Sequence, residues 1–244
     1  KLPVIHEISR KKSDNNRKIF YIASSSIVYQ TTGYTVRTHN LLRELVAQGM
    51  EVLCVTRPGY PLDRNDIQFN GEIRRSCEID NVTYITFDGP HRRKEALDVY
   101  LTKSSDLLTE FFRKVQPAVV HAASNYETAL PACMAAHSLG IPFIYEVRGL
   151  WEYTAASRIP QWETSERFHL DSRLEAYVTA HADAVCALNG SLLEKIMRRA
   201  TLRRAPFLLP NAIPGDLRPV TEKSETFLNR WSLSKNDFIV GYVG

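Results

Sequence analysis

The sequence predicts an α/β fold: a Rossmann-like, doubly wound, mostly parallel sheet with helices on both faces. Three observations predict it. Short continuous apolar runs recur along the chain, as in strands buried on both faces. Each is followed by a polar loop and a stretch with apolar residues at helical spacing. Each such stretch returns to another apolar run, the pattern of right-handed parallel crossovers.

Residues 18–55 hold the first unit. Ile19, Phe20, Tyr21 and Ile22 form a buried strand, and a polar loop leads to Gly33. From Tyr34 onward Leu41, Leu42, Leu45 and Val46 make one apolar stripe, opposed by Arg37, Asn40, Arg43, Glu44 and Gln48. Gly49 ends that helix and Val52–Val55 is the second strand. The loop TRPGYPLDR follows, stiffened by Pro58, Gly59 and Pro61. Val82 to Phe87 alternate as one strand after a turn at Asp80 and Asn81. A long helix is expected from about Arg92 to Val115, closed by Pro117.

The unit then repeats. Ala118–Val120 is a strand, HAASNY its exit loop, and Ala129, Leu130, Cys133, Met134 and His137 line a helix ending at Gly140. Ile141–Val147 is the next strand, and RGLWEYTAASRIPQWE the loop after it. A helix over about Ser165–Ala182, a strand over Ala184–Leu188, a basic helix from Ser191 and a strand over Phe207–Leu209 complete the series. FIVGYVG reads as a buried strand opening another unit. The expected organisation is therefore a loose lead-in over 1–17, an acceptor-side Rossmann-like domain over 18–215, and over 216–244 a linker with the first strand of a truncated second domain.

Composition narrows the function classes. With 44% hydrophobic residues over 244 positions, the chain can bury a large core, and no apolar run reaches the roughly 20 residues of a membrane helix. Four cysteines without C-x-x-C spacing argue against structural zinc or disulfides and for a cytoplasmic protein. The net charge of +4 is concentrated in Arg92, Arg93 and Lys94 and in Lys195, Arg198, Arg199, Arg203 and Arg204. Two readings stay open for these: solvated faces, or a surface that meets anionic lipid headgroups or a pyrophosphate-linked substrate. No nucleic-acid motif accompanies them.

In a doubly wound sheet, function gathers at the carboxyl ends of the strands. Those positions are Gly33 and Tyr34, Arg57 to Tyr60, His121 to Asn125 (including Ser124), Glu146 to Glu152 (including Gly149 and Trp151), Asn189 and Asn211. His121 can act as acid, base or hydrogen-bond donor, or be a satisfied structural histidine. Glu146 and Arg148 straddle Val147 and so point to one side, either as a salt bridge alone or with Arg148 offering its fork to a phosphate. Glu127, Glu146 and Glu152 raise the question of a glycosidase-type carboxylate pair, which spacing alone cannot answer. Gly33 is a lone glycine, either a turn residue or part of an anion-binding loop.

The segments TTGYTVRTHNLLRELVAQGMEVLCVTRPGYPLDR, VVHAASNYETALPA, GIPFIYEVRGLWE, ADAVCALNGSLLEKI, LLPNAIP and FIVGYVG, in this order, resemble the N-terminal half of group 1, or family 4, retaining glycosyltransferases of the GT-B fold. The branch used in polysaccharide and exopolysaccharide assembly carries similar GY-x-x-RTH, RPGYP and YEVRGLWE segments. The resemblance implies an enzyme that moves a sugar from a nucleotide-sugar donor to a glycan or lipid-linked acceptor with retention, and needs no cofactor or metal. Strand-end position and the resemblance together give an expected catalytic group of His121, Glu146 and Arg148. The expected substrate contacts are Gly33, Tyr34, Arg37, His39, Arg57, Tyr60, Ser124, Asn125, Gly149, Trp151, Glu152, Asn189 and Asn211. His121 matches the histidine of the family's D-x-V-H segment. Arg148 stands where many members carry the histidine of T-x-H-G, and an arginine cannot shuttle protons at neutral pH, which casts it as an electrostatic partner of substrate charge. The family's E-x7-E element lies in the other domain, so this stretch alone is expected to be inactive. The expected setting is cytoplasmic, with peripheral contact at the inner face of the membrane as the open alternative for the basic helix. Two other functions remain in view: a GT-B nucleotide-sugar 2-epimerase and a non-catalytic sugar- or nucleotide-binding module.

Overall fold

In a computed structural model of the chain, residues 3–5, 17–64, 72–213 and 222–241 are described. The chain forms two compact units, Lys1–Asn211 and Ala212–Gly244.

The first unit is built on β1 (Lys18–Ala23), β2 (Glu51–Thr56), β3 (Ser76–Ile79), β4 (Val82–Ile85), β5 (Val119–Ala123), β6 (Phe143–Val147), β7 (Ala184–Ala187) and β8 (Phe207–Leu208). They form one sheet in the order β3-β4-β2-β1-β5-β6-β7-β8, parallel except for the antiparallel β3–β4 pair. The doubly wound expectation is met. Strand order reverses at β1, whose neighbours are β2 on one side and β5 on the other, so the switch-point crevice opens between the carboxyl ends of β1 and β5.

The helices are α1 (Gly33–Ala47), α2 (Leu97–Val115), α3 (Tyr126–Ser138), α4 (Trp151–Ala156), α5 (Glu166–His181) and α6 (Gly190–Arg199). Successive strand residues face opposite sides, and the core divides accordingly. On one face Tyr21, Ala23, Cys54 and Tyr84 pack under Leu41, Leu42 and Leu45 of α1. On the other, Phe20, Ile22, Val120 and Tyr145 pack against Tyr100, Leu108 and Phe112 of α2, Ala129 and Cys133 of α3, and Leu174 and Val178 of α5. Tyr145 and Glu146 are the sharpest case. The Tyr145 hydroxyl donates to Glu175 of α5, whereas Glu146 turns to the α1 side.

Several elements differ from expectation. Ser76–Ile79 forms a strand not expected from the sequence: its residues are half-exposed or exposed, and it pairs with β4 across the expected turn at Asp80 and Asn81, whose φ of 49° and 62° are the paired positive values of a tight hairpin. Helix α2 starts at Leu97 rather than Arg92. Arg92–Lys94 lie in a turn, which keeps three cations off the positive end of the helix and leaves Asp98 in the first turn. The loop after β6 contains α4. In the expected lead-in, Pro3 accepts a 2.7 Å bond from the Tyr177 hydroxyl and Ile5 packs on the larger core, while residues 1–2 and 6–16 lie outside the described residues.

The second unit contains α7 (Glu225–Arg230), capped by Ser224 and burying Leu228. Residues 238–241, expected as a strand, have no strand partner and Phe238 is 95% exposed; residues 242–244 lie outside the described residues. Among the described residues no helix is long and apolar enough to cross a membrane.

Candidate active site

The carboxyl ends of β1, β5 and β6 and the first turns of α1 bring together a buried charged cluster centred on Glu146, which is fully buried. Register places Ala123 beside Glu146 and Tyr21 beside His121, so Tyr21, His121 and Glu146 share the α1 face. Tyr21 donates to Glu146 Oε2 at 2.6 Å. Arg37 of α1 donates to Oε1 at 2.8 Å, and Arg148 Nε reaches the same oxygen at 3.0 Å. His121 Nε2 lies 3.3 Å from Oε2, an ion-pair distance whose geometry is off-line for a hydrogen bond, and its ring rests on Tyr21 at 4.7 Å.

Arg148 is almost wholly committed. Besides Glu146 it donates to Thr38 Oγ1 at 2.8 Å, the Tyr34 carbonyl at 3.2 Å and the Tyr21 hydroxyl, and it stacks at 4.5 Å over the Tyr34 ring. Its backbone N–H donates to Ser124 Oγ. This guanidinium pins α1 to the sheet; a direct grip on substrate would require giving up bonds already made. Arg37 also donates to the carbonyls of Leu209 and Pro210 and to Asn211 Oδ1, which gathers the exit of β8 into the cluster.

The electrostatics follow from two arginines sharing one carboxylate. Burial by itself raises the Glu146 pKa, but His121 and Arg148 outweigh it and hold the carboxyl well below the usual carboxylate range. Burial and the Glu146 charge together push the Tyr21 phenol up. The cluster therefore carries a fixed carboxylate, a neutral phenol and two guanidinium groups, an excess of one positive charge before His121 is counted.

Above it stands the N-terminus of α1. Thr32 and Thr35 form a capping box, there is no acidic residue in the first turn, and Gly33 is exposed with nothing within 4 Å of the position a Cβ would take. Gly33 has no positive φ, so the turn itself does not require glycine there. The cap uses the Thr35 N–H and leaves those of Gly33 and Tyr34 uncommitted among the described residues.

The expected site residues thus divide. Gly33, Tyr34, Arg37, His121, Ser124, Glu146, Arg148 and Asn211 come together in or against the cluster. Asn125 occupies the N-cap position of α3 without a side-chain cap bond, and Gly149 and Trp151 lie just beyond Arg148. Glu152 is buried against Arg199 at 2.5 Å, and Asn189 caps α6 by accepting from the Leu192 N–H. His39, Arg57 and Tyr60 are elsewhere. His39 bonds Tyr84 and Asp80 near the amino end of β4, Arg57 is held in a buried bidentate pair with Asp63, and Tyr60 is 1% exposed. Glu127, Glu146 and Glu152 are each claimed by different arginines, so they do not form a facing carboxylate pair. Tyr21 and Thr38 were missed, Tyr21 because inside an apolar run it reads as core. Among the described residues no group of three His, Cys, Asp or Glu side chains is placed to hold a metal ion.

Residues 32–212 match the family described as a glycosyl transferase 4-like domain. No curated protein matches in sequence. Among solved structures, the sucrose-phosphate synthase of Thermosynechococcus elongatus superposes with a TM-score of 0.62 at 14% identity, covering 89% of this chain and 53% of that one. The UDP-N-acetylglucosamine 2-epimerase of Rickettsia bellii gives 0.50 at 15% identity, covering 78% and 44%. The chain thus spans about half the length of these proteins.

Proposed function

The chain belongs to the glycosyl transferase 4-like family, and from that premise we propose that it forms the acceptor-side half of a retaining glycosyltransferase. The full enzyme would move a sugar from a nucleotide sugar to a glycan or lipid-linked acceptor in the cytoplasm, in polysaccharide assembly, with this half inactive alone. The observation that carries the reading is the excess positive charge beneath the open N-terminus of α1. A departing nucleotide diphosphate gains negative charge as the glycosidic bond breaks, and fixed donors with a helix dipole favour that charge without reorganising.

In this reading the Gly33 and Tyr34 N–H groups meet the diphosphate. Arg37, the more exposed of the two arginines with 15% of its side chain accessible against 6%, adds the nearest charge. Arg148 and Glu146 position α1 over the crevice, and His121, 9% exposed, is placed to bond a substrate hydroxyl. The chemistry assigned here requires no cofactor. The 2-epimerase reading shares the fold, while the family match favours transfer.

The test is incubation of the full-length protein with UDP-, GDP- and ADP-sugars and a panel of glycan acceptors, following nucleotide release and the product's anomeric configuration. Transfer with retention is expected. Epimerised sugar without acceptor dependence would replace this reading, and absence of both activities would leave a binding module.

A further inference from the structure

We infer that a second cleft, of about 530 Å³, beside the charged cluster is a subsite for an uncharged saccharide unit. It is lined by Arg92, Arg93, Asn125, Glu127, Trp151 and Arg167 together with Glu95 and Asp171. This rests on the reading of the chain as the half that holds a glycan acceptor. Asn125 joins the cleft to the cluster, because it follows Ser124, whose hydroxyl accepts from the Arg148 backbone.

Three features point to a sugar. First, Asn125 occupies the N-cap of α3, where an asparagine side chain ordinarily accepts from a first-turn N–H, yet its amide makes no such bond and no other among the described residues. The first N–H of the helix, that of Tyr126, is satisfied separately by Glu175. An amide that is 7% exposed and lines a cleft with its donors and acceptor unused is suited to a ligand that both donates and accepts, as a hydroxyl does.

Second, Glu127 orders two guanidinium groups at the cleft wall. Arg92 meets it at 2.7 Å and Arg167 at 3.3 Å, and Arg167 is fixed further by Asp171 at 2.8 Å and the Tyr126 hydroxyl at 3.0 Å. Each arginine keeps N–H donors beyond those it uses, held in a fixed plane. Third, Trp151 leaves 43% of its surface exposed at this wall, an aromatic face of the kind on which the C–H side of a pyranose rests.

Charge decides the class. Three arginines and three carboxylates line the cleft, so it offers no strong net field to a phosphate or a uronate.

Saturation-transfer NMR with maltose, cellobiose, lactose and mannobiose tests this, with glucose 6-phosphate and glucuronic acid as charged probes. At least one disaccharide should bind, weaken about tenfold or more in Trp151→Ala and in Asn125→Ala, and persist in Trp151→Phe. Melting temperatures of the variants check folding. The inference is overturned if no disaccharide binds, if binding survives both alanine variants, or if only a charged sugar binds. Disaccharide binding without transfer by the full-length protein would remove the glycosyltransferase reading and leave the subsite. Transfer whose acceptor KM is unmoved by Trp151→Ala would do the reverse.

Discussion

Arg37 on α1 and Glu146 on β6 meet at 2.8 Å although 109 residues separate them in sequence. The same guanidinium holds the Leu209 and Pro210 carbonyls, so one side chain ties the first helix, the centre of the sheet and the strand exit at residues 209–211 to a single carboxylate. Arg148, the residue directly after β6, binds that carboxylate as well, through its Nε at 3.0 Å.

Glu146→Gln should therefore destabilise the fold by about 3–5 kcal/mol, because it leaves two arginines buried without their counter-charge. Urea denaturation measures this. Adding Arg148→Met should recover part of the loss, since the two sites share one network. A change below about 1 kcal/mol would mean that solvent already compensates the arginines.

Two buried carboxylates impose opposite pH dependences. The Glu146 carboxyl is more acidic folded than unfolded, so its contribution is complete above the ordinary carboxylate range and is lost as pH falls through and below it. Burial pushes Glu175 up to about 7, against the lowering effect of bonds from Tyr145 and the Tyr126 N–H. Between its ordinary pKa and about 7 the folded protein keeps a proton that the unfolded chain has released, so this contribution is lost as pH rises across that window. Glu175→Gln should remove that slope and be more stable than the parent by roughly 3 kcal/mol at pH 8. Chemical denaturation from pH 5 to pH 8 checks it.

Gly33→Ala should leave the melting temperature unchanged or slightly higher, since no neighbour crowds the position and alanine favours helix. If α1 receives the donor diphosphate there, the added methyl should raise the donor KM about tenfold. Steady-state kinetics on the full-length protein separate the two effects, and an unchanged KM would remove Gly33 from the site.

Gly59→Ala should behave oppositely. Its φ is +88° and an added Cβ would fall inside the contact distance of the Pro90 carbonyl oxygen, so a loss of about 2 kcal/mol or more is expected with no effect specific to substrate. Thermal unfolding measures it.

Much of this fold was legible because its buried strands are short, apolar and separated by helical stripes. The hairpin strand Ser76–Ile79 was not, since its residues are mostly half-exposed or exposed and its pairing depends on the turn rather than on an apolar run. The site was legible only in part. Polar residues at strand ends pointed to His121, Glu146 and Arg148, and alternation gave the Glu146–Arg148 pairing. Alternation cannot show which long-range partners a side chain finds. Tyr21 therefore reads as core and Arg92 as part of a surface run of cations, solvated or anion-facing, although Arg92 is largely enclosed against Glu127, with only 15% of its side chain accessible. Arg57 misled for the same reason, because Asp63 six residues on satisfies it inside its own turn.

The alternation of Tyr145 and Glu146 has a bearing on folding fidelity. One neighbour anchors to α5 through Glu175 and the other to α1 through Arg37, so β6 is keyed on both sides at adjacent positions. A strand that slipped by one residue during assembly would aim a carboxylate at Leu174 and Val178 and an aromatic ring at two arginines, forfeiting both anchors together. The charges at the crevice thus double as a proofreading device for the middle of the sheet, since a misregistered chain would lose the Tyr145–Glu175 and Arg37–Glu146 bonds in one step.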